Sequence, residues 1–340
     1  MTAPAFPRPR RAAPCSALIA VLALAGLRAA AAAPLPAQES PTPPSAFHDP
    51  ASWDEWLLPV RDPVGASPQP QAAPCRLWVR EVGVGPRVVF LHGGWGAEHE
   101  DLLTGFLPLA SELRLTFYDQ RGSLRSPCDE PPTAADHVAD LEALRLALGE
   151  ERLVVVGHSM GTWLAMAYAE AHPEAVAGLV LIAPVWPTPD APAGEQTPRW
   201  ERPEVAEELA RHGLVLPRRV EDGTRGWSVN HRIIFAAVNL HDVTKWRSLR
   251  PPWTYATDAA NSAAASMPAD YDFRPALARL AAAGAPVLVI QGDDDYLPTA
   301  SWTDEVPGVE RIEIEEAGHV PYVDRPEAVR GLVRGFVRGL

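Results

Sequence analysis

The chain has 340 residues, of which 47% are hydrophobic, enough for one large core with an insertion. Its net charge of −13 argues against a nucleic-acid partner and fits a charged, solvated surface. Its 37 prolines crowd the first 75 residues and the stretch from Pro184 to Pro203, which marks both as irregular.

The N-terminus carries Arg8, Arg10 and Arg11, then an unbroken apolar run from Ala17 to Leu27, then small residues from Ala29 to Ala33. Eleven apolar residues are too few to span a bilayer, so no stable membrane span is expected. A basic start, a short apolar run and small residues are the order of a secretory signal peptide, assigned to residues 1–37. The reading is therefore an exported protein, periplasmic or extracellular. Cys15 leaves with the leader, and in an oxidising compartment a bridge between Cys75 and Cys128 is allowed; two separate buried thiols are the alternative. Residues 38–74 read as a Pro-rich linker. Within it, Trp53 to Leu58 is expected to form one helical turn docked on the body.

The core begins near Leu77. LWVREVG and RVVFLHGG read as two strands with a turn at Gly85-Pro86. The second runs into His92-Gly93-Gly94-Trp95-Gly96, where glycines let the backbone approach a ligand closely. Asp101 to Leu113 has helical spacing. Leu113 to Tyr118 reads as a strand, and the turn Asp119-Gln120-Arg121-Gly122 follows, with Asp119 and Arg121 suited to pinning a loop at the sheet edge. Ala134 to Leu148 is an amphipathic helix presenting Val138, Leu141, Leu144 and Leu148, stopped by Gly149.

The most informative stretch is Leu153 to Glu174. A short β-branched run, Leu153 to Val156, leads into Gly157-His158-Ser159-Met160-Gly161, and a helical pattern continues to Ala171. This is the G-x-S-x-G nucleophile elbow. A sharp strand-to-helix turn lifts the serine oxygen above the sheet, and glycines stand where side chains would collide. The positive end of the helix also points at the reacting centre.

On these residues the chain resembles the α/β-hydrolase superfamily from about Leu77 to Leu340. The DQRGSLRS segment resembles prolyl aminopeptidases and their secreted relatives, although Leu124 stands where their second glycine would be. The elbow GHSMG differs from the Gly-Gly-Ser-Trp-Gly usual in those enzymes and is common among esterases. The fold implied is α/β, a mostly parallel central sheet with helices on both faces. The core occupies residues 75–183 and 284–340, with a helical cap at 184–283. The resemblance puts the amide of Gly94 in an oxyanion hole with that of Met160.

The insertion holds Trp186, Trp200, Trp227, Trp246 and Trp253. Of these, Trp186 and Trp227, with Trp95 of the glycine loop, are candidates for contact with substrate; packing within the cap is the competing role. Glu201, Glu204, Glu207 and Glu208 either bind a substrate amine or form a solvated helix face. The sheet resumes at Pro286 to Gln291, followed by Gly292 and three aspartates. The superfamily's acid sits three residues after that glycine, at Asp295, with Asp293 and Asp294 as the alternatives. Gly318-His319 closes the last strand.

Ser159, Asp295 and His319 each fall at a strand end, in the chain order of α/β-hydrolases. They imply acyl transfer through a covalent intermediate, with His319 as base, Asp295 fixing its tautomer and the rate lost in acid. No metal cluster and no dinucleotide fingerprint is seen, so neither cofactor nor metal is expected. The expected partner is a small-molecule or short-peptide substrate. Two enzymatic readings stand together, aminopeptidase and carboxylesterase or lipase-like hydrolase. A ligand-binding protein on the same fold is the reading from another class. Oligomeric state is left open.

Overall fold

The computed structural model describes residues 53–60, 75–194, 199–213, 229–249 and 255–340. The leader, most of the linker, Trp227 and Trp253 lie outside them.

Eight strands form one sheet: β1 (Asp54–Pro59), β2 (Arg76–Val82), β3 (Arg87–Leu91), β4 (Arg114–Tyr118), β5 (Leu153–His158), β6 (Val176–Ile182), β7 (Val287–Gly292) and β8 (Val309–Ile314). Their order across the sheet is β1-β2-β4-β3-β5-β6-β7-β8. From β4 to β8 every pairing is parallel, while β1 and β2 run antiparallel at one edge. The helices are α1 (Glu100–Phe106), α2 (Ala134–Leu148), α3 (Met160–Ala171), α4 (Pro203–Arg211), α5 (Val229–Asn239), α6 (Thr257–Ala265), α7 (Arg274–Ala282), α8 (Pro321–Asp324) and α9 (Pro326–Arg338).

The central strands are continuous apolar runs because both their faces are covered. Val88 to Leu91 and Leu179 to Ile182 are wholly buried. Phe90 sits at the centre, its ring 4.9 Å from Phe106 and 4.8 Å from Phe117. Truncating a ring packed like this to alanine costs about 3–5 kcal/mol.

The sequence order along the sheet reverses at β3. From there the chain crosses to β4 on one side and then to β5 on the other. In an open α/β sheet the carboxyl ends flanking such a reversal form the natural crevice for a ligand. The glycine loop ends β3 and the elbow ends β5, so topology alone brings them together.

Two local expectations change. Trp53 to Leu58 is no helical turn: Asp54–Pro59 is the edge strand β1, paired from Asp54↔Glu81 to Pro59↔Arg76. Its stabilising partners lie on β2, where Glu55 accepts from Arg80 and the Arg80 guanidinium stacks 4.4 Å over Trp53. The strands β2 and β3 are not sheet neighbours, because β4 lies between them. The sheet therefore begins inside the segment read as linker.

Helix α2 has the expected bounds. Thr133 and Asp136 form a reciprocal cap at its start, and Gly149 closes it at φ 70°. Its buried face is more polar than the periodicity suggested. Leu141 and Leu144 are buried together with Asp136, His137 and Asp140, whereas Val138 and Leu148 are only half-buried. Asp140 faces inward because Arg121 binds it through two nitrogens, at 2.8 and 2.5 Å. Cys75 and Cys128 are joined by a disulfide, Cα to Cα 5.1 Å, tying the start of β2 to the loop after β4.

Candidate active site

Ser159 stands between β5 and α3 with φ 52° and ψ −121°, a conformation a non-glycine residue rarely adopts. Its surroundings enforce it. A Cβ at Gly157 would come 2.6 Å from the Gly161 carbonyl oxygen, and one at Gly161 would come 2.3 Å from that of Leu91. Either side chain would push the elbow off the sheet. The Ser159 N–H donates to the Ile182 carbonyl at 3.0 Å. The Thr162 hydroxyl donates to the Ser159 carbonyl at 2.6 Å and accepts from the Val185 N–H at 3.1 Å, fastening the turn to the end of β6.

His319 reaches this serine from the loop after β8. Its Nε2 lies 2.9 Å from Ser159 Oγ, and its Nδ1 lies 2.9 Å from Asp295 Oδ1. Both side chains are almost wholly buried. The Leu297 N–H donates to the same Asp295 oxygen at 3.0 Å. The Tyr296 ring lies 4.4 Å from the His319 ring, restricting its rotation.

The three consecutive aspartates are sorted by their partners. Asp293 accepts from the Ala317 N–H at 3.2 Å, tying the acid loop to the histidine loop. Asp294 binds Arg199, Arg202 and His241 of the insertion. Asp295 alone faces His319.

The glycine loop lies against the serine. A Cβ at Gly93 would come 3.0 Å from the Ser159 Cβ, and Gly94 takes φ 67°. Among the described residues, no acceptor is bonded to the Gly94 or Met160 N–H. His92 supports the loop from beneath. Its Nε2 accepts the Gln120 N–H at 3.0 Å and its Nδ1–H donates to the Gly93 carbonyl at 3.1 Å. That pattern needs a neutral ring, and burial lowers its pKa to about 4. The segment at Tyr255 and Ala256 covers the loop from above, where the Ala256 N–H donates to the Gly96 carbonyl at 2.8 Å.

A family model described as "Alpha/beta hydrolase family" matches residues 88–332, which span every element of this site. The chain belongs to the alpha/beta hydrolase family. Proline iminopeptidase of Neisseria gonorrhoeae is 45% identical over 100 residues, 28% of this chain and 32% of that protein. Proline iminopeptidase of Xylella fastidiosa is 42% identical over 111 residues, 31% of this chain and 35% of its own length. The chain thus matches about a third of the length of these relatives. A thermophilic esterase from Thermogutta terrifontis shares the fold, with TM-score 0.58 and 21% identity over 84% of this chain and 98% of that one.

In this alpha/beta hydrolase two of the three candidate tryptophans, Trp95 and Trp186, lie among the described residues. Trp95 is buried, stacked 4.5 Å from His137 and edge-on to Trp163 at 5.8 Å. Its ring packs against these two side chains. Trp186 is half-buried just beyond β6. Trp246 forms the interior of the insertion, donating to Glu208 at 2.8 Å between the guanidinium groups of Arg232 and Arg247. That bond, with His212 and Arg211, occupies Glu208; Glu201, Glu204 and Glu207 face solvent. On α4 Glu208 is therefore a structural carboxylate, while Glu204 and Glu207, with Glu201 just ahead of the helix, form a solvated face.

Among the described residues, Glu98, His99 and Asp119 bring potential ligand atoms within 4.8 Å of one another. Arg125 already lies among them, 3.1 Å from Asp119 and 3.5 Å from Glu98. The guanidinium answers the negative charge there, and burial lifts Glu98 to about 8, so the acid is largely neutral. We assign no metal to it. No helix among the described residues is long and apolar enough to cross a membrane.

Sequence reasoning missed the contacts made by Asp294 and by Asp324. Asp324 accepts from the N–H groups of Gly318, His241 and Asp242, at 2.9, 2.8 and 3.2 Å. The signal was present as a single acid five residues beyond His319, without a motif to give it meaning.

Proposed function

We propose that this protein is a serine hydrolase that cleaves an ester or amide bond of a small substrate through an acyl-enzyme. The observation that carries the reading is the hydrogen-bonded line Ser159–His319–Asp295 at the reversal of the sheet. His319 Nε2 takes the hydroxyl proton as Ser159 Oγ bonds to the acyl carbon, and the carbonyl electrons move to its oxygen. Collapse breaks the bond to the leaving group, which receives the proton from His319. Water then repeats the sequence and frees Ser159. Asp295 holds the Nδ1–H tautomer and steadies the positive ring. The Gly94 and Met160 amides receive the oxyanion, each worth roughly 2.7–4 kcal/mol at a comparable site.

The substrate reading is an aminopeptidase of proline-iminopeptidase type, supported by relatives that carry that name over about a hundred residues. The second reading is a carboxylesterase, favoured by the GHSMG elbow, which resembles the one common among esterases. Proline naphthylamide and a short p-nitrophenyl ester, assayed side by side, separate the two. Hydrolysis of neither, with no labelling by a fluorophosphonate, supports the ligand-binding alternative instead. We further propose that the protein is exported: its leader has the order of a signal peptide, and a Cys75–Cys128 disulfide suits an oxidising compartment.

A further inference from the structure

Behind His319 lies a buried line of polar groups that the proposed chemistry does not use. Asp101 on α1 and Tyr322 on α8 meet with Tyr322 Oη 2.6 Å from Asp101 Oδ2. The same hydroxyl lies 3.2 Å from His158 Nδ1, and His158 Nε2 lies 2.9 Å from the carbonyl oxygen of His319. Asp101, His158 and Tyr322 are all buried.

The protons in this line can be counted. The His319 carbonyl only accepts, so His158 Nε2 must carry a hydrogen. With a neutral ring, His158 Nδ1 is then bare and must accept. Its neighbour in the line is Tyr322, whose single O–H satisfies it only by turning from Asp101 to His158. Asp101 and Tyr322 at 2.6 Å would then be two acceptors in contact unless Asp101 supplies the proton. The line thus holds one proton more than a carboxylate and a neutral imidazole would.

That proton could alternatively sit on His158 as an imidazolium facing an ionised Asp101. The surroundings disfavour this. Burial holds the His158 ring down to about 3, and its ring lies 5.0 Å from that of His319, which must itself turn positive in turnover. Among the described residues, no well-formed hydrogen bond reaches Asp101 Oδ1; the nearby N–H groups of Leu102 and Asp101 itself favour the anion less than burial disfavours it, and the bare oxygen costs the carbonyl of an acid little. Glu100 nearby adds negative charge that opposes ionisation, Glu98 beside it is largely neutral, and His92 and Asp295 are the remaining ionisable groups near His158. Burial lifts Asp101 to about 6 even against a Tyr322 hydroxyl donating to it. Turned toward His158, that hydroxyl no longer steadies the anion.

We propose that Asp101 is held as the neutral acid and is a positioning residue: it donates to Tyr322, Tyr322 donates to His158, and His158 Nε2–H grips the backbone of His319. The functional half rests on His319 being the base. The relay fixes the histidine loop without placing a charge beside a ring that must become cationic.

The test uses the full chain with Asp101→Asn, Asp101→Ala and Tyr322→Phe, read by kinetics and by infrared difference spectroscopy. An asparagine amide donates to Tyr322 as the acid does, so Asp101→Asn keeps kcat within about twofold. Asp101→Ala and Tyr322→Phe lose kcat by about three- to tenfold, with KM unchanged. At neutral pH the wild-type spectrum holds the carbonyl band of a protonated Asp101, absent from Asp101→Asn. Glu98 contributes a band of its own, so the assignment rests on that difference. A loss in Asp101→Asn equal to that in Asp101→Ala, or no acid band removed by the substitution, overturns the proposal. The infrared result stands even if the wild type cleaves no ester or amide, which separates failure of the relay from failure of the hydrolase reading.

Discussion

Asp294 and Asp295 adjoin in the chain and serve different parts of the molecule. Asp295 Oδ1 lies 2.9 Å from His319, whereas Asp294 gathers Arg199, Arg202 and His241 from the insertion. Replacing them separately should give different defects. Asp295→Asn favours the wrong tautomer of His319 and should lower kcat by about 10⁴, as in comparable triads. Asp294→Asn should leave kcat within about tenfold and lower the melting temperature, because a half-exposed ion-pair network holds structure more than it shapes the reaction. Equal losses of kcat would show that the acid has been misassigned between neighbours.

Stability should peak a little below neutrality, between about pH 6 and 7. Burial holds His92, His137 and His158 down to about 4, 3 and 3, so they are neutral when folded and take up protons when unfolded in acid. Each then removes stability as pH falls below the ordinary imidazole range, on the order of 1 kcal/mol per pH unit. Glu98 and Asp101 act in the opposite sense. Burial lifts them to about 8 and about 6, so they stay protonated when folded and ionise when unfolded. Below the peak, three histidines outweigh two acids; above it, Glu98 leads and stability falls toward pH 8. Thermal melts across this range test the sign. Glu98→Gln should flatten the alkaline side, and an unchanged slope would contradict the assignment.

The Cys75–Cys128 bridge closes a loop with a sequence separation of 53 and anchors β2, the neighbour of the edge strand, to the segment that carries Ser126. The Ser126 hydroxyl accepts from the Trp78 N–H at 2.8 Å and donates to the Asp119 carbonyl at 2.6 Å, so the loop is held twice. The double substitution to serine should therefore cost about 2–4 kcal/mol while leaving the fold recognisable. A melt of the wild type with and without reductant gives the same comparison. No shift in either experiment would mean that the Ser126 contacts suffice.

The parallel strands were legible because each is a short apolar run that needs cover on both faces, and the elbow because glycine is obligatory where a Cβ would strike the Gly161 or Leu91 carbonyl. β1 was not. In Trp56, Leu58 and Val60 the alternation of a strand is present, but Asp54 and Glu55 find their partners only once β2 lies alongside. The polar face of α2 was hidden for a similar reason: nothing local reveals that Arg121, thirteen residues before Ala134, turns Asp140 inward. Nothing local shows that His137 and Trp163 arrive from elsewhere to bury Trp95. Local pattern carried the strand-end residues; contacts between distant segments decided the rest.

The most direct measurement is covalent labelling of the intact protein with a fluorophosphonate, followed by peptide mass mapping. The account predicts one adduct, on Ser159, lost in Ser159→Ala and strongly slowed in His319→Gln, with both variants keeping the wild-type fold by circular dichroism. An adduct on another residue, or none on a folded wild-type protein, would contradict the claim that His319 activates the Ser159 hydroxyl.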